Sequence, residues 1–383
     1  MRFLHTADWH LGRIFGGFDM LPAQQHALDG LVDIARDAAP QAIVVAGDVY
    51  DRAVPPEDAV HLLDDVLARL AEVAPVLLIA GNHDSGRRLE FGRTFLRRAG
   101  VHVAGIAGAG VERVDLRDEH GVVAFHLLPY ATPEETRFGL GRDDLRSHDD
   151  ATRARVATCG LSGTSRHVLV GHLFVQGGQE TKDAERDISV GGIATVDPGV
   201  FGHFAYTALG HLHRPHSIGS ERIRYSGSLA PYSFSEEDHV KGVGIVEIDA
   251  AGGVTLEEIA LPQKHGMRTL RGTIEELCAR AGEDDRRDRD LVRVLATDLV
   301  LPPGSGDSLR KLYPHLLEFR RDRPSERTPE DRAGDTDRPS PRSEREFLES
   351  FFSSRYPGMV DGTVLDFARE CLEQAVRREG GEA

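Results

Sequence analysis

The sequence predicts an α/β protein in which two sheets pack on each other and helices cover them. In residues 1–84, short apolar runs alternate with helices that carry one apolar face, which is typical of a parallel sheet covered by helices. Beyond residue 84, further apolar runs are separated by loops rich in Gly, Pro and charged residues. We interpret these runs as strands of a second sheet that packs on the first.

The first 84 residues are predicted to form strand, helix, strand, helix and strand, in that order. The strands are short apolar runs at 3–7, 42–46 and 76–80. The first helix spans about 22–38, where apolar residues recur at helical spacing. The second helix begins at 55–58, where two prolines precede two acidic residues.

The second sheet is predicted from apolar runs that are bounded by turn-forming residues. Together with the first 84 residues, these runs define a predicted domain over 1–265. The runs lie at 122–128, 167–170, 206–209, 222–225 and 243–248.

A second domain is predicted to begin at residue 266, where the composition changes. Seventeen of the 18 histidines precede this point, and the net charge is −12 before it and −4 after it. Residues 266–319 combine strand patterns with helix patterns, one of which starts with a capping box at 273–276. We interpret them as a small α+β domain.

A disordered linker is predicted over 320–342, followed by two apolar helices. Ala333 is the one apolar residue between 320 and 345, so this stretch cannot bury enough apolar surface to order itself. The segment 343–383 has no predicted core of its own, and we expect its helices to dock on another protein. These helices are placed at 343–355 and 361–377.

Five polar clusters each follow a predicted strand. The carboxyl ends of parallel strands are where ligands bind in open α/β sheets, so we expect these side chains to converge. Taken singly, each cluster also fits a turn or a buried histidine, but their combination in this order predicts a metal site. The clusters are Asp8-Trp9-His10, Gly47-Asp48-Val49-Tyr50-Asp51, Gly81-Asn82-His83-Asp84, Gly171-His172 and Gly210-His211-Leu212-His213.

The side chains in these clusters are suited to two divalent ions that act on a phosphate ester. Two ions about 3.5–4 Å apart can activate a water and stabilise both oxygens of an in-line displacement. Asp48 is the predicted shared ligand, and Asp8 and His10 point to the same side of an extended chain. Nitrogen and oxygen ligands without thiolate favour manganese, iron or zinc. His83 is the predicted general acid or charge stabiliser, and Asp84 is expected to orient it.

The clusters resemble the signatures of the calcineurin-like metallophosphoesterases. Several segments resemble, more narrowly, the SbcD family of bacterial DNA nucleases. The resemblance covers residues 1–265 by motifs and the rest of the chain by layout only. The segments that carry it are His5-Thr6-Ala7-Asp8-Trp9-His10-Leu11-Gly12, Gly47-Asp48-Val49-Tyr50-Asp51, Arg186-Asp187-Ile188, Tyr225-Ser226-Gly227-Ser228 and Ser233-Phe234.

The resemblance implies a two-sheet metallophosphoesterase sandwich with a capping domain at 266–319. It also implies a centre of two manganese ions, with the residue His83 needed for catalysis. The implied ligands are Asp8, His10, Asp48 and His213 for one ion, and Asp48, Asn82, His172 and His211 for the other.

The family cleaves DNA, and the resemblance implies the same activity in DNA repair, recombination and replication. It would be an ATP-dependent 3′→5′ exonuclease on double-stranded ends and an endonuclease on hairpin DNA. The implied partner is SbcC, a coiled-coil ATPase on which 343–383 would dock, with a homodimer of the nuclease inside a heterotetramer. Two alternatives stay open: a metallophosphoesterase that acts on small phosphodiesters or phosphoproteins, and a non-enzymatic scaffold on a decayed fold.

The composition limits how this protein binds DNA and where it acts. A net charge of −16 argues against DNA binding by bulk positive charge, so the duplex affinity is expected from the dimer and from SbcC. The three cysteines form no CxxC pair, which argues against a disulfide scaffold. The chain shows no run of 18 apolar residues and no signal peptide, so we expect a cytoplasmic, nucleoid-associated protein without a membrane partner.

Overall fold

The structure is a computed structural model that describes residues 1–107, 110–163, 165–179 and 195–322. The predicted helices of 343–383, and the predicted linker beyond residue 322, lie outside the described residues. Among the described residues, no helix is long and apolar enough to cross a membrane.

The secondary structure of the described residues alternates strands and helices along most of the chain. The strands are, in chain order, β1 (Arg2–Thr6), β2 (Ile14–Phe15), β3 (Phe18–Asp19), β4 (Ala42–Ala46), β5 (Val76–Ile79), β6 (Val101–Ala104), β7 (Glu112–Asp118), β8 (Gly121–Leu128), β9 (His167–His172), β10 (Phe174–Val175), β11 (Thr195–Val196), β12 (Tyr206–Gly210), β13 (His216–Ile218), β14 (Ser220–Tyr225), β15 (Gly242–Ile248), β16 (Val254–Ala260), β17 (Met267–Gly272), β18 (Leu291–Ala296) and β19 (Leu316–Arg321). The α-helices are α1 (Leu21–Ala38), α2 (Glu57–Ala71), α3 (Gly86–Leu89), α4 (Arg93–Arg98), α5 (Pro133–Leu140), α6 (His148–Val156), α7 (Ile274–Arg280) and α8 (Ser305–Leu312), and short 3-10 helices span Pro198–Phe201 and Phe234–Glu236.

The first sheet has the strand order β16-β15-β1-β4-β5-β6. Strands β1, β4, β5 and β6 are parallel, and β15 and β16 continue the sheet in antiparallel pairing. This order corrects one prediction, because the run at 243–248 was expected in the second sheet. β4 pairs with one edge of β1, so the other edge needs a partner for its backbone groups, and β15 supplies it.

The second sheet has the strand order β13-β14-β12-β9-β8-β7, with parallel pairing from β14 to β8 and antiparallel pairing at both edges. Its inner face packs on the first sheet through a core that includes Phe3, Val44, Phe125 and Val168. The prediction of an α/β protein with two packed sheets is therefore confirmed.

Helices cover the outer faces of the sandwich. Helix α1 presents Leu28, Leu31 and Val32 to the core beneath the first sheet, as its apolar spacing predicts. Helices α5 and α6 were not predicted from an apolar pattern. Each begins with a capping box, built on Thr132 and Ser147 respectively, which supplies partners for the free backbone N–H groups of the first turn.

A smaller parallel sheet, β17-β18-β19, carries helices α7 and α8 and has a core of its own around Val292, Val294 and Leu309. Strand β19 continues to Arg321, which is past the predicted start of the linker at residue 320. The β2–β3 hairpin meets this smaller sheet, because its phenylalanines pack in a cluster with Met267 and Leu291. Strand β17 also contacts the 3-10 helix Phe234–Glu236, and the Glu236 carboxylate lies 3.1 Å from the ring of His213, so the smaller sheet lies beside the predicted metal site.

Candidate metal centre

The predicted metal ligands lie together at one edge of the sandwich, where parallel strands of both sheets end. All of them except Asn82 have buried side chains. In the first sheet, Asp8 and His10 follow β1, Asp48 follows β4 and Asn82 follows β5; in the second, His172 ends β9, and His211 and His213 follow β12.

Backbone strain is concentrated at these residues. In the described part of the chain, five non-glycine residues have a positive φ, and four of them are predicted ligands. They are Asp8 at 53°, His10 at 47°, Asp48 at 48° and His211 at 107°. A side chain held in this region costs about 1–3 kcal/mol and persists only where surrounding contacts enforce it, which is common at functional sites.

Glycines beside the ligands allow the strand ends to approach closely. A Cβ atom on Gly81 would lie 2.1 Å from Oδ1 of Asp48, and one on Gly47 would lie 2.4 Å from Nδ1 of His172. Both distances are far below van der Waals contact. These two glycines are therefore required by the packing of the ligands themselves.

The Asp48 carboxylate lies between two groups of possible ligands. Its Oδ2 atom is 3.6 Å from Nε2 of His10 and 3.4 Å from Nε2 of His172. Within the described residues this buried oxygen has no hydrogen-bond partner. Donor atoms of Asp48 lie within 4.8 Å of those of His10 and His83 on one side, and of Asp8 and His172 on the other. This is the position of a carboxylate that can bridge two ions.

Other short distances divide the remaining histidines between these two sides. Nε2 of His10 lies 3.0 Å from Nε2 of His213, so both rings present a nitrogen at the same point and could hold one ion there. On the other side, Oδ1 of Asn82 lies 2.9 Å from Nε2 of His172 and 3.2 Å from Nδ1 of His211. The structure thus brings together the same groups of histidines that the resemblance implies for each ion.

Asp8 contacts residues of the second group. Its Oδ1 atom is 3.8 Å from Nδ1 of His172 and accepts a hydrogen bond from the backbone N–H of His211 at 2.8 Å. The resemblance assigns Asp8 to the ion of His10 and His213. The contact with His172 does not contradict this, because Nδ1 of His172 lies 2.9 Å from the Ala46 carbonyl oxygen and is not the nitrogen that faces Asp48.

The charges at the centre depend on one another. Burial disfavours the charged form of Asp48, but His172 and His10 hold the pKa of its carboxyl well below the usual range. Burial also lowers the pKa of His172, but the Asp48 carboxylate outweighs it and raises that pKa to about 10. A carboxylate buried in this way needs a positive charge beside it. The nitrogen and oxygen donor atoms and their burial fit divalent ions.

Comparison with known proteins finds a family that matches the first part of the chain. Residues 1–185, close to half of the chain, match the calcineurin-like phosphoesterase family. The chain contains a calcineurin-like metallophosphoesterase domain. A solved structure, that of the protein TT1561 of Thermus thermophilus, is similar to this chain with a TM-score of 0.37 and 12% sequence identity. The alignment covers 67% of this chain and 98% of that chain.

His83 of the metallophosphoesterase domain is held against the centre by backbone contacts. Its ring Nδ1 lies 2.8 Å from the backbone carbonyl oxygen of Asp51, which can only accept a hydrogen bond. The ring stands edge-to-face against His10, with the centroids 4.8 Å apart. Nδ1 is therefore the donor, and Nε2 is the ring nitrogen left for substrate, proton transfer or a metal.

Asp84 does not have the orienting role that was expected of it. Its carboxylate accepts hydrogen bonds from the backbone N–H groups of Val49, Tyr50 and Gly81 at 3.0, 2.9 and 2.9 Å. Burial and the nearby Asp48 raise the pKa of Asp84 to about 6. Asp84 therefore ties together the loops that follow β4 and β5, and the Asp51 carbonyl is the group that orients His83.

Sequence reasoning missed several buried polar residues that support the ligands. The Gln24 amide nitrogen donates to the carbonyl oxygen of His10 at 2.7 Å, and the Tyr232 hydroxyl donates to that of Trp9 at 2.5 Å. Glu236 and Lys241 are buried behind His213. The role of Gln24 could have been suspected from the sequence, because Gln24 is a polar residue on the apolar face of α1. The others lie far from their partners in sequence.

Proposed function

We propose that this protein is the nuclease subunit of an SbcCD-type complex, a manganese-dependent phosphodiesterase that cleaves DNA. The observation that carries the proposal is the convergence of the predicted ligands on both sides of the buried Asp48 carboxylate. The metallophosphoesterase domain supports phosphoester hydrolysis in general. The narrower assignment to DNA rests on the sequence resemblance over 1–265 and on the additional α+β unit beside the centre.

The chain's own residues can divide the chemistry among them. Two divalent ions held here would supply an activated water and would stabilise the charge on the phosphate. Asp48 would hold both ions at a fixed separation, because it sits at a rigid strand end. The Nε2 atom of His83 would donate a proton to the leaving oxygen when the ring is protonated, or stabilise its charge. The donor set contains no thiolate, which is compatible with manganese.

Two further partners belong to the proposal. The proposed SbcC-docking segment, 343–383, lies outside the described residues, so its role rests on the sequence alone. A homodimer is supported by two phenylalanines on the surface, Phe91 and Phe95, whose exposed fractions are 87% and 74% and which lie four residues apart in the sequence. Exposed large apolar side chains are common in association surfaces. Sedimentation of a Phe91→Glu/Phe95→Glu variant tests this, since a dimer built on the surface should become a monomer.

The function is tested by offering three substrates to the purified protein with manganese. These are end-labelled duplex DNA, hairpin DNA and bis-p-nitrophenyl phosphate, each with and without SbcC and ATP. We expect cleavage of both DNAs in the presence of SbcC and ATP, and no cleavage by an Asp48→Asn variant. Hydrolysis of the small ester with no DNA cleavage under any condition would favour the small-phosphodiester alternative. Hydrolysis of none of the three would favour the non-enzymatic scaffold.

A further inference from the structure

A buried ion pair lies directly behind one of the predicted metal ligands. The side chains of Glu236 and Lys241 are both fully buried, and Nζ of Lys241 lies 2.5 Å from Oε2 of Glu236. The other carboxylate oxygen, Oε1, lies 3.1 Å from Nδ1 of His213. Neither charged residue belongs to the five polar clusters or to the predicted ligands.

The pair holds His213 from two directions. Nζ of Lys241 donates to the carbonyl oxygen of His213 at 2.8 Å and to Oγ of Ser228 at 2.9 Å, which fixes the backbone at this point. The Glu236 carboxylate contacts the ring. A carboxylate can only accept, so Nδ1 of His213 is the donor, and a neutral imidazole then carries its lone pair on Nε2.

The lone pair on Nε2 lies on the side of the predicted metal centre. Nε2 of His213 is the atom that lies 3.0 Å from Nε2 of His10. A carboxylate behind a histidine ligand is a common device in metal sites, because it fixes the tautomer and the orientation of the ring and makes the ligand more basic. The geometry around His213 has every part of that device.

Glu236 is itself held in place by its local structure. It ends the short 3-10 helix Phe234–Glu236, in which the Ser233 side chain accepts a hydrogen bond from the backbone N–H of Ser235. Phe234 packs with Met20 and Tyr232, and the Arg293 guanidinium lies 4.9 Å from the centre of its ring. The carboxylate therefore has a defined position from which to orient His213.

Stability alone does not account for this pair. Bringing two charges out of water costs so much that replacing a buried pair with apolar residues is often neutral or stabilising. We propose that Glu236, with Lys241 as its counter-ion, is a positioning residue that sets the tautomer and ring orientation of His213 for metal binding. The inference rests on the metal centre of the proposed function.

The test is a calorimetric titration of the metal-free protein with manganese, which reads the affinity and number of ions without any substrate. The main variant is Glu236→Leu/Lys241→Met, because it removes both charges and leaves no buried charge unpaired. We expect the ion on the His213 side to bind about 10–100-fold more weakly and the other ion to bind as before. Glu236→Gln should show a smaller loss, because its amide oxygen can still accept from Nδ1.

A control variant removes another buried ion pair, far from the centre. Asp118 and Arg166 form this pair between β7 and the segment before β9, and the Met1 amino group lies 2.6 Å from the same carboxylate. The variant Asp118→Leu/Arg166→Met should keep both manganese affinities, whatever its effect on the unfolding temperature. If the Glu236→Leu/Lys241→Met variant is folded and binds both ions as tightly as the unsubstituted protein, the proposal is wrong.

The titration of the unsubstituted protein distinguishes a failure of the proposed function from a failure of this inference. An unsubstituted protein that binds no manganese would contradict the proposed function, and this inference with it, before any variant is made. If Glu236→Gln does not fold, the charge-free double variant decides the question. Equal losses in Glu236→Gln and in the double variant would also count against the proposal, because the hydrogen bond to Nδ1 would then not matter.

Discussion

The backbone N–H of His83 donates a hydrogen bond to Oδ1 of Asp48 at 2.9 Å. Asp48 therefore uses one carboxylate oxygen to hold the loop that carries the proposed general acid. Its other oxygen, Oδ2, faces histidines of both ligand groups. The proposed metal bridge and the proposed proton donor are thus fixed to each other by a single side chain.

Asp48→Ala should lose both ions, because it removes the ligand that the two sites would share. The affinity for each ion should fall by more than about 100-fold, which is the upper end of the loss seen when only a partner behind a ligand is removed. Elemental analysis after dialysis measures the bound manganese. Asp58→Ala is the control, since Asp58 is an exposed residue of α2. Two ions that remain bound to Asp48→Ala would refute the bridging role.

His83→Ala should keep its metal and lose turnover. The ring Nε2 is available for proton transfer because Nδ1 is used by the Asp51 carbonyl, and loss of a general acid typically costs about 10²–10⁴-fold in rate. Metal content and cleavage of hairpin DNA are measured on the same preparation. His83 also lies within ligand distance of His10 and Asp48. If the variant loses an ion, His83 is a ligand and not a proton donor.

Gly81→Ala should disrupt the centre although it adds only one methyl group. Its Cβ would lie 2.1 Å from Oδ1 and 2.3 Å from the backbone nitrogen of Asp48, so Asp48 must move. Overpacking of this kind costs about 1–3 kcal/mol, and the displaced carboxylate should bind manganese more weakly. Gly282→Ala is the matched control, because no atom lies within 4 Å of its added Cβ. Wild-type manganese affinity in Gly81→Ala would contradict the packing argument.

Much of this fold and site could be predicted because the relevant signals are local in sequence. Strands β4, β5 and β18 are short apolar runs, and the clusters that end at His10 and Asp84 directly follow strands. A strand end followed by a ligand-rich turn is visible without knowledge of the tertiary structure. The placement of these clusters at one sheet edge then follows from parallel pairing.

The parts that could not be predicted depend on contacts between distant residues. The pairing of β15 with β1 joins residues more than 200 positions apart, and no local pattern distinguishes it from a strand of the second sheet. Asp84 adjoins His83 in sequence, but its carboxylate faces backbone N–H groups of another loop. Glu236 reaches His213 only through the folded chain, so its role has no local signal.

Asp118→Asn should destabilise the protein most at neutral pH and least in acid. Hydrogen bonds from Arg166, and the Met1 amino group 2.6 Å away, hold the pKa of Asp118 below its usual range. A carboxyl group whose pKa is lower in the folded state than in the unfolded state stabilises the fold at pH values above its unfolded pKa, which is about 3.9 for Asp. This contribution is lost as the pH falls below that value. Breaking a buried pair costs about 3–5 kcal/mol. Urea unfolding at several pH values measures the difference in the free energy of unfolding between Asp118→Asn and the unsubstituted protein. This difference should shrink below about pH 4. A difference that stays constant would contradict the lowered pKa of Asp118.

Duplex DNA should bind weakly to this chain alone, and bound manganese should strengthen the binding. The net charge of −16 leaves little bulk attraction, so the dissociation constant near 150 mM salt should exceed about 1 µM. Two divalent ions against the carboxylates of Asp8 and Asp48 would make the centre the strongest local positive charge. Fluorescence anisotropy of labelled duplex with His83→Ala tests this without cleavage. Manganese should tighten the binding of DNA by His83→Ala and should not change the binding by Asp48→Ala. A submicromolar dissociation constant that does not change with salt or manganese would contradict this prediction.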